Sequence, residues 1–284
     1  METLRLIVNA DDFGLSERVN EGIVQAHRLG ILTSASLMAS GEAVEHATTM
    51  AKATPTLDIG VHLTLIEEQP ISSPDVIRTL VDANGRFHPH AMAFVRRYFL
   101  GRISLDQVRH ELDAQINSIV SRGLMVSHLD GHQHLHMLPG VRLIVGELAR
   151  KYAIPSIRYP KETPRFYMLK EPGSVRRIPQ MLLLNFFCAI ARTSDAGRPD
   201  HFYGFFYGGR LSKENLLRVL DHLPATGICE VMCHPGLMDP DSRHNHWGYQ
   251  WQAECDALTD RDVRDCLRSR GIRLVSYSDL PANY

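Results

Sequence analysis

The stretch Ser127-His128-Leu129-Asp130-Gly131-His132-Gln133-His134-Leu135-His136 carries four histidines and one aspartate at every second position. In an extended chain alternate side chains share one face, so these five side chains are expected to point the same way. Neutral imidazole is the commonest protein ligand for divalent metals and the usual proton carrier near neutral pH. The stretch therefore favours a metal or acid–base site over a solvated histidine-rich loop.

A second polar cluster follows the first apolar run of the chain. Residues 4–10 are typical of a buried parallel strand, and they lead directly into Asp11-Asp12. Two adjacent carboxylates at a strand end are costly unless a cation or hydrogen bonds hold them. Because neighbours on a strand face opposite ways, one acid is expected to bind a metal while the other stays free as a base. The alternative is a turn with a helix cap, but Ser16 already supplies a cap.

Two further histidines lie within or at the end of apolar runs. His62 interrupts the run 59–65, and His234 ends the run 228–234 immediately before Pro235-Gly236. Each histidine by itself is compatible with a structural role, in a strand or beside a turn. In combination with the other clusters, they indicate metal ligands or proton carriers.

The composition is that of an ordinary globular protein, with 284 residues, 44% apolar and 22% charged residues and a net charge of −1. The near-neutral balance argues against nucleic acid or an anionic membrane as the main partner. No apolar run reaches the roughly 18–20 residues that a transmembrane helix needs, and no secretory signal is visible. The five cysteines are scattered, which predicts reduced thiols and a cytoplasmic location.

Strand-like and helix-like segments alternate along the whole chain, with helices expected over 17–29 and, after Ser104, over 105–119. This order predicts a single α/β domain with a parallel sheet of about six or seven strands. The polar clusters all lie near the C-terminal ends of different strands. That placement favours a distorted TIM-like (β/α) barrel, with its active site at those ends, over an open sheet. An open dinucleotide-binding sheet would need a Gly-x-Gly-x-x-Gly after the first strand, and the sequence has none there.

Four motifs taken together resemble those of the YdjC-like carbohydrate deacetylase family. They occur in the family's order and are Asn9-Ala10-Asp11-Asp12-Phe13-Gly14, Gly60-Val61-His62-Leu63, the stretch from Ser127 to Pro139, and Cys233-His234-Pro235-Gly236. Ser36-Leu37-Met38, residues 80–87 and the helix 107–119 are more similar to the HpnK-like branch, which is associated with hopanoid lipid biosynthesis.

The resemblance implies a hydrolase that removes acetyl groups from N-acetylated amino sugars, either chitooligosaccharide-like or lipid-linked. At the matching positions it implies that Asp12, His62 and His128 bind one divalent metal and that Asp11 is the catalytic base. The family is commonly written with Mg²⁺, whereas two imidazoles and one carboxylate also suit Zn²⁺. His234 is our candidate for the general acid.

Several roles and functions stay open at this point. A histidine among residues 132–136 competes with His234 as the general acid, and the role of Asp130 is undetermined. The other functions to consider are a metal-dependent phosphoesterase, a non-haem iron oxygenase and a non-catalytic metal- or sugar-binding protein.

Residues 164–210 are expected to form an insertion near the active-site face, since this interval is long for a connection between a strand and a helix. It contains the apolar run 181–191, preceded by Arg176-Arg177 and followed by an aromatic cluster that includes Phe205-Phe206. We expect these aromatics to form one wall of the sugar pocket, and the apolar run to be either a buried barrel helix or a path for a lipid. The sequence leaves open a peripheral membrane contact and a homodimer.

Overall fold

Eight β-strands lie in residues 3–191 and 197–280, the parts of the chain that this computed structural model describes. In chain order they are β1 (Arg5–Phe13), β2 (Ser34–Leu37), β3 (Asp58–Leu63), β4 (His128–Gly131), β5 (Ser156–Ile157), β6 (His201–Tyr203), β7 (Ile228–Cys233) and β8 (Arg273–Leu274).

The strands are parallel, and seven of them follow one another in the order β5-β4-β3-β2-β1-β7-β6, while β8 pairs with the first residues of β1. The two edges of this sheet meet at a single parallel bridge between Ser156 of β5 and Gly197, shortly before β6. There the amide of Ile157 donates to the Gly197 carbonyl at 3.1 Å, and the Gly197 amide donates to the Pro155 carbonyl at 2.8 Å. The predicted distorted TIM-like barrel is thus confirmed.

Nine α-helices surround the barrel in the described ranges. They are α1 (Glu17–Leu29), α2 (Val44–Lys52), α3 (Ala91–Phe99), α4 (Leu105–Val120), α5 (Pro139–Lys151), α6 (Ser174–Ile190), α7 (Lys213–Asp221), α8 (Trp251–Thr259) and α9 (Arg261–Ser269). The helices α1 and α4 begin where the sequence offers a cap, since Ser16 and Ser104 each accept a hydrogen bond from the backbone amide three residues further on.

Alternation along the strands separates an apolar outer layer from a polar interior. Val8, Val61 and Leu129 are fully buried in the main apolar cluster, which the surrounding helices complete. Ile7 faces the other way and packs with Val275 and other residues in a small separate cluster. Hydrogen bonds between strands that are not neighbours join the buried polar side chains of the interior, as described below. The barrel therefore concentrates its polar groups inside.

The histidine stretch is not one continuous strand, and the prediction of a single shared face is wrong. β4 ends at Gly131, and His132–Met137 form a 3₁₀ turn. Within this turn Gln133 and His134 have left-handed backbone angles, with φ of 50° and 55°. Only His128 and Asp130 keep the alternation, because the chain has to leave the sheet at the strand's C-terminal end.

The interval from 164 to 210 contains α6 and also β6, which is a barrel strand; residues 192–196 lie outside the described residues. The helix is buried along one side only, since Met181 is fully buried whereas Leu182 and Phe186 are 51% and 56% exposed. A helix wholly buried in the core is thus excluded, and the insertion itself stays a prediction. No helix in the described part of the chain is long and apolar enough to cross a bilayer.

Candidate functional site

The end of β1 contains a bulge that brings two adjacent acids into one site. The register between β1 and β2 shifts between Ala10 and Phe13, and Asp12 has a φ of 64°. Bulges redirect side chains and are frequent beside active sites. A carboxylate oxygen of Asp11 and one of Asp12 each lie within 4.8 Å of a ring nitrogen of His62. Strict alternation would have separated the two acids.

Asp12, His62 and His132 converge in a buried cluster. The Oδ1 atom of Asp12 lies 3.1 Å from Nδ1 of His132 and 3.4 Å from Nε2 of His62. The two imidazole nitrogens are themselves 3.4 Å apart. The Oδ2 atom of Asp12 is buried and makes no hydrogen bond to any described residue. Two imidazole nitrogens and a carboxylate with an unsatisfied oxygen form a donor set that fits a divalent metal.

A carboxylate lies behind each of the two imidazoles. Nδ1 of His62 is 2.7 Å from Oδ1 of Asp130, and Nε2 of His132 is 2.9 Å from Oε2 of Glu67. In metal sites such partners orient the ring and keep its other nitrogen available to the metal. Asp130, whose role the sequence left open, and Glu67, which sequence analysis missed, therefore both support the donor set.

Burial and the neighbouring charges act in opposite directions on the ionisable groups of this cluster. Burial alone would lower the pKa of His132, but its hydrogen bonds and charge interactions with Asp12 and Glu67 raise the pKa to about 10. Burial opposes ionisation of Asp12 as well, yet the neighbouring histidines hold the pKa of its carboxyl below the usual range. The two carboxylates beside His132 therefore favour a positive charge at this position.

Arg158 lies completely buried between three carboxylates. It donates two hydrogen bonds to Asp11, at 2.8 and 2.7 Å, and one to Glu230 at 2.8 Å, and it forms an ion pair with Asp130 at 2.6 Å. Burial disfavours its charge, but the three acids raise the pKa of Arg158 above its ordinary value. Glu230 accepts a second hydrogen bond from Tyr277 at 2.6 Å. The arrangement holds Asp11 by both oxygens in a fixed orientation.

Sequence analysis missed Arg158 and Glu230. A glutamate inside the apolar run 228–234 was a usable signal, since an acid buried in a strand needs a partner. Arg158 lies next to a two-residue strand and carried no comparable pattern.

The structure does not bring His128 to the other predicted ligands. Its ring stacks on Tyr277 at a centroid distance of 3.8 Å, and its nitrogens lie 3.0 Å from the Ser36 hydroxyl and 2.9 Å from the Ser127 hydroxyl. His128 begins β4, so it lies two residues, or about 6–7 Å, deeper in the barrel than Asp130. The role of His128 as a metal ligand stays a prediction, and the histidine whose ring nitrogen lies close to both Asp12 and His62 is His132. The rule that sites lie at the C-terminal ends of barrel strands was the signal that favoured His132.

His234 follows β7 and lines a small cavity together with Asp11, His62, His132 and Tyr249. Its backbone amide donates to Glu254 at 2.5 Å, while its Nδ1 atom is buried and without a hydrogen-bond partner in the described residues. The structure thus brings His234 to the same cavity as the base candidate and the metal donor set.

The remaining two histidines of the stretch are held neutral. Burial lowers the pKa of His136 to about 3, and it also lowers the pKa of His134 well below its ordinary value. His136 lies 3.2 Å from the backbone carbonyl of Arg158, and the ring of His134 contacts Phe202 and Phe205. A group that resists protonation is a poor proton donor, so neither competes well with His234 as the general acid.

A cleft of about 950 Å³ lies beside this small cavity. Its wall includes Phe205 and Leu183, and Trp247 and Tyr249 line it as well. Phe206 is fully buried and does not contribute. The cleft is large enough for more than a single small ligand.

The barrel thus holds two imidazoles and a carboxylate that could bind one metal, next to a second carboxylate that an arginine holds in place. The chain belongs to the YdjC-like protein family, whose model matches residues 5–269. The resemblance noted from the sequence motifs is thus confirmed.

Relatives match along nearly the whole chain. It is 32% identical to a carbohydrate deacetylase of Brevibacillus brevis, over 98% of this chain and 100% of that protein. It is 34% identical to a chitooligosaccharide deacetylase of Proteus mirabilis, over 97% of this chain and 98% of that one. A crystal structure of an Enterococcus faecalis protein proposed to cleave cellobiose phosphate matches with a TM-score of 0.73 and 29% identity, and covers 97% of this chain and 98% of that chain.

Replacement of Arg158 by leucine should destabilise the protein by about 3–5 kcal/mol, because three buried carboxylates lose their cation. Chemical denaturation measures this loss, and Arg268→Leu on an exposed surface is the control.

The effect of the Arg158→Leu substitution on stability should depend on pH. Unpaired buried acids have a higher pKa in the folded state than in the unfolded chain, so the stability present at low pH is lost as pH rises. Even beside Arg158, burial raises the pKa of Glu230 to about 7.

The loss of unfolding free energy in the Arg158→Leu variant should therefore become smaller as pH falls from about 7 towards 4. The lower limit is the ordinary pKa of a carboxyl group in the unfolded chain. Equal unfolding free energies for the Arg158 and Arg268 variants would contradict this account of the interior.

Proposed function

We propose that the protein is a carbohydrate deacetylase, which hydrolyses the acetamido group of an N-acetylated amino sugar with one bound divalent metal and releases acetate. One observation carries the proposal. His62 and His132 face Asp12, and each has a carboxylate on its other ring nitrogen, while Arg158 holds the neighbouring Asp11. The names of the Brevibacillus and Proteus relatives support it.

In this proposal Asp12, His62 and His132 hold the metal. A metal held there would polarise the acetyl carbonyl and would lower the pKa of the attacking water. The donor set of two nitrogens and one carboxylate oxygen favours Zn²⁺, although the family resemblance implies Mg²⁺.

Asp11 accepts the proton of the attacking water. Its two oxygens offer about four lone-pair positions, and Arg158 and Asn9 use three of them. One position is left for the water. The two hydrogen bonds from Arg158 hold the carboxylate in one orientation, which suits a general base.

His234 delivers a proton to the departing amine. It shares the small cavity with Asp11 and His132, and its Nδ1 atom has no competing hydrogen bond among the described residues. Protonation of the amine is needed because a free amide anion is too basic to leave.

A two-metal phosphoesterase is disfavoured by the position of Arg158. Asp11, His62 and Asp130 form a second group whose ligand atoms lie within 4.8 Å of one another. Arg158 already forms ion pairs with Asp11 and Asp130, so its charge opposes a second cation there. A simple binding protein has no need of an uncoordinated carboxylate beside the metal.

For the substrate, we propose an oligosaccharide or a lipid-linked N-acetylglucosamine. Leu183 and Phe187 of α6 line the cleft, and the neighbouring Leu182 and Phe186 are exposed. This apolar surface would suit a lipid chain or a peripheral contact with a membrane. A cytoplasmic location agrees with the five free cysteines, four of which are buried.

Replacement of either His62 or His132 by alanine should abolish metal binding, whereas His128→Gln should retain it. The reason is that His128 lies below the site with both nitrogens engaged. Metal content after dialysis against a trace of Zn²⁺ measures the difference. Glu67→Gln should weaken binding by about 10–100-fold, as expected for the loss of a carboxylate behind a ligand. Full metal occupancy in His132→Ala, together with loss of the metal in His128→Gln, would favour the sequence-based hypothesis that His128 is the ligand.

Asp11→Asn should keep the metal and lower kcat by about two or more orders of magnitude, since the amide cannot accept the proton of the water. Asp113→Asn, at a surface pair with Lys151, is the control. Near-normal turnover of the Asp11 variant would move the base to another residue.

Acetate release from a panel of acceptors tests the function itself. We expect turnover of diacetylchitobiose, of longer chitooligosaccharides or of an N-acetylglucosaminyl lipid, and none of a phosphodiester. Phe205→Ala should raise KM for the preferred class, because this ring lines the cleft; Phe166→Ala, at a 91% exposed ring, is the control. Phosphodiester hydrolysis without acetate release would overturn the proposal.

A further inference from the structure

A buried glutamate outside the reacting centre holds one wall of the cleft. Glu162 lies in the loop after β5 and is fully buried. Its Oε2 atom accepts a hydrogen bond from the backbone amide of Phe206 at 2.8 Å, and its Oε1 atom accepts one from the amide of Gly204 at 3.4 Å. The two amides flank Phe205 in the chain, so this carboxylate holds residues 204–206, called the Phe205 segment below, from both sides.

The Phe205 segment borders both the small cavity and the large cleft. Phe205 lines the small cavity together with Asp11 and His234, and it lines the cleft as well. Asp11 is held independently, by two hydrogen bonds from Arg158. A displacement of the segment would therefore change the shape of the pocket and leave the proposed base in place.

The conformation of the segment depends on these hydrogen bonds because it begins with a glycine. Gly204 has a φ of 109°, and a Cβ at this position would lie 2.3 Å from the carbonyl oxygen of Met232 in β7. Glycine is thus required here, but it does not restrict its own backbone angles. The hydrogen bonds to Glu162 supply the restraint that the residue type does not.

Glu162 also connects the Phe205 segment to α6. Its backbone amide donates to Oδ1 of Asn185 at 3.2 Å, and Nδ2 of Asn185 donates to the backbone carbonyl of Glu162 at 2.8 Å. Leu183 and Phe187, close to Asn185 on α6, line the cleft. One residue therefore joins two parts of the same wall.

Glu162 has no cationic partner in the described part of the chain, and the backbone amides of residues 204–206 are the groups that favour its ionised form. Burial outweighs them and raises the pKa of Glu162 to about 7. The ionisable side chains of this region are those of Tyr167, Tyr203, Tyr207 and Arg165. Burial raises the pKa of all three tyrosines, so they are neutral near pH 7. The charge at this position therefore changes near neutral pH through Glu162 itself.

We propose that Glu162 is a positioning residue, which in its ionised form holds the Phe205 segment in the place where it binds the sugar. An ionised carboxylate offers acceptor positions on both oxygens, whereas a protonated one carries an O–H donor on one of them. Protonation thus removes one of the two hydrogen bonds to the segment. This inference rests on the proposed deacetylase function, and it assigns a role in substrate binding to a residue that does not touch the reacting atoms.

Glu162→Gln should raise KM for the N-acetylated sugar about three- to tenfold near pH 8, as expected for a weakened aromatic contact, and should leave kcat within about twofold. The side-chain amide replaces one acceptor oxygen by an N–H donor. Steady-state acetate release measures both constants, and Glu147→Gln, at a surface pair with Arg109, is the control. A fall in kcat at unchanged KM, or no change in either constant, would overturn the proposal.

The pH dependence of KM provides a readout that a merely structural role would not change. Glu162 gains its proton as pH falls through about 7, so the wild-type KM should rise between about pH 8 and pH 6. The KM of Glu162→Gln should not follow, and the ratio of variant to wild-type KM should fall towards one. Phe205→Ala should also lack the rise, and this variant decides the question if Glu162→Gln does not fold. A Phe205→Ala enzyme that keeps the wild-type pH dependence of KM would refute the proposal.

Amide hydrogen exchange separates this inference from the proposed function. Near pH 8 the amides of Gly204 and Phe206 should be protected at least about tenfold more in the wild type and in Glu147→Gln than in Glu162→Gln. If no N-acetylated sugar releases acetate and this difference is still found, the function fails and the positioning by Glu162 stands. Equal protection in all three proteins refutes the positioning even if acetate is released.

Discussion

The buried guanidinium of Arg158 is the interaction on which the rest of the interior depends. It neutralises acids from three different strands, with Asp11 on β1, Asp130 on β4 and Glu230 on β7. Without this cation the polar interior would hold several unpaired carboxylates, each costing a few kcal/mol. The barrel can thus keep an acid available for chemistry in a place where water does not stabilise its charge.

The same network separates two neighbouring acids into two roles. Asp11 faces the arginine, whereas Asp12, turned by the bulge, faces two histidines. Asp130 connects the two halves, since one of its oxygens contacts Arg158 and the other contacts His62. The position of the proposed metal donors is therefore coupled to the position of Asp11, the proposed base, through one carboxylate.

Much of the fold and part of the site were predictable from sequence. Alternating strands and helices give the barrel, and α1 falls at the predicted residues because Ser16 caps it and Gly30 follows it. The site was expected at the strand ends, and Asp11, Asp12, His62 and His234 do lie there. The position of His132 beside Asp12 and His62 was not predicted, because alternation was extended past Gly131, where the chain leaves the sheet. Local pattern cannot show where pairing with a distant strand stops.

Side chains that pair across long distances in the sequence could not be predicted either. Arg158 and Asp11 are 147 residues apart in sequence, and nothing in the short strand β5 distinguishes a buried arginine from a surface one.

The place where the two edges of the sheet meet, called the seam here, has a consequence for the motion of the protein. β1 and β7 are paired over six residues, whereas within residues 3–191 and 197–280 the two edges of the sheet meet at one bridge, between Ser156 and Gly197. Regions with few backbone hydrogen bonds open at the lowest free energy, so amide hydrogens near this seam should exchange before those of β1. The chain between the two edges carries α6 and hence one wall of the cleft. Local opening of this bridge would widen the cleft that α6 lines. Asp12 on β1 and His62 on β3 would stay in place, because these strands are paired over more residues.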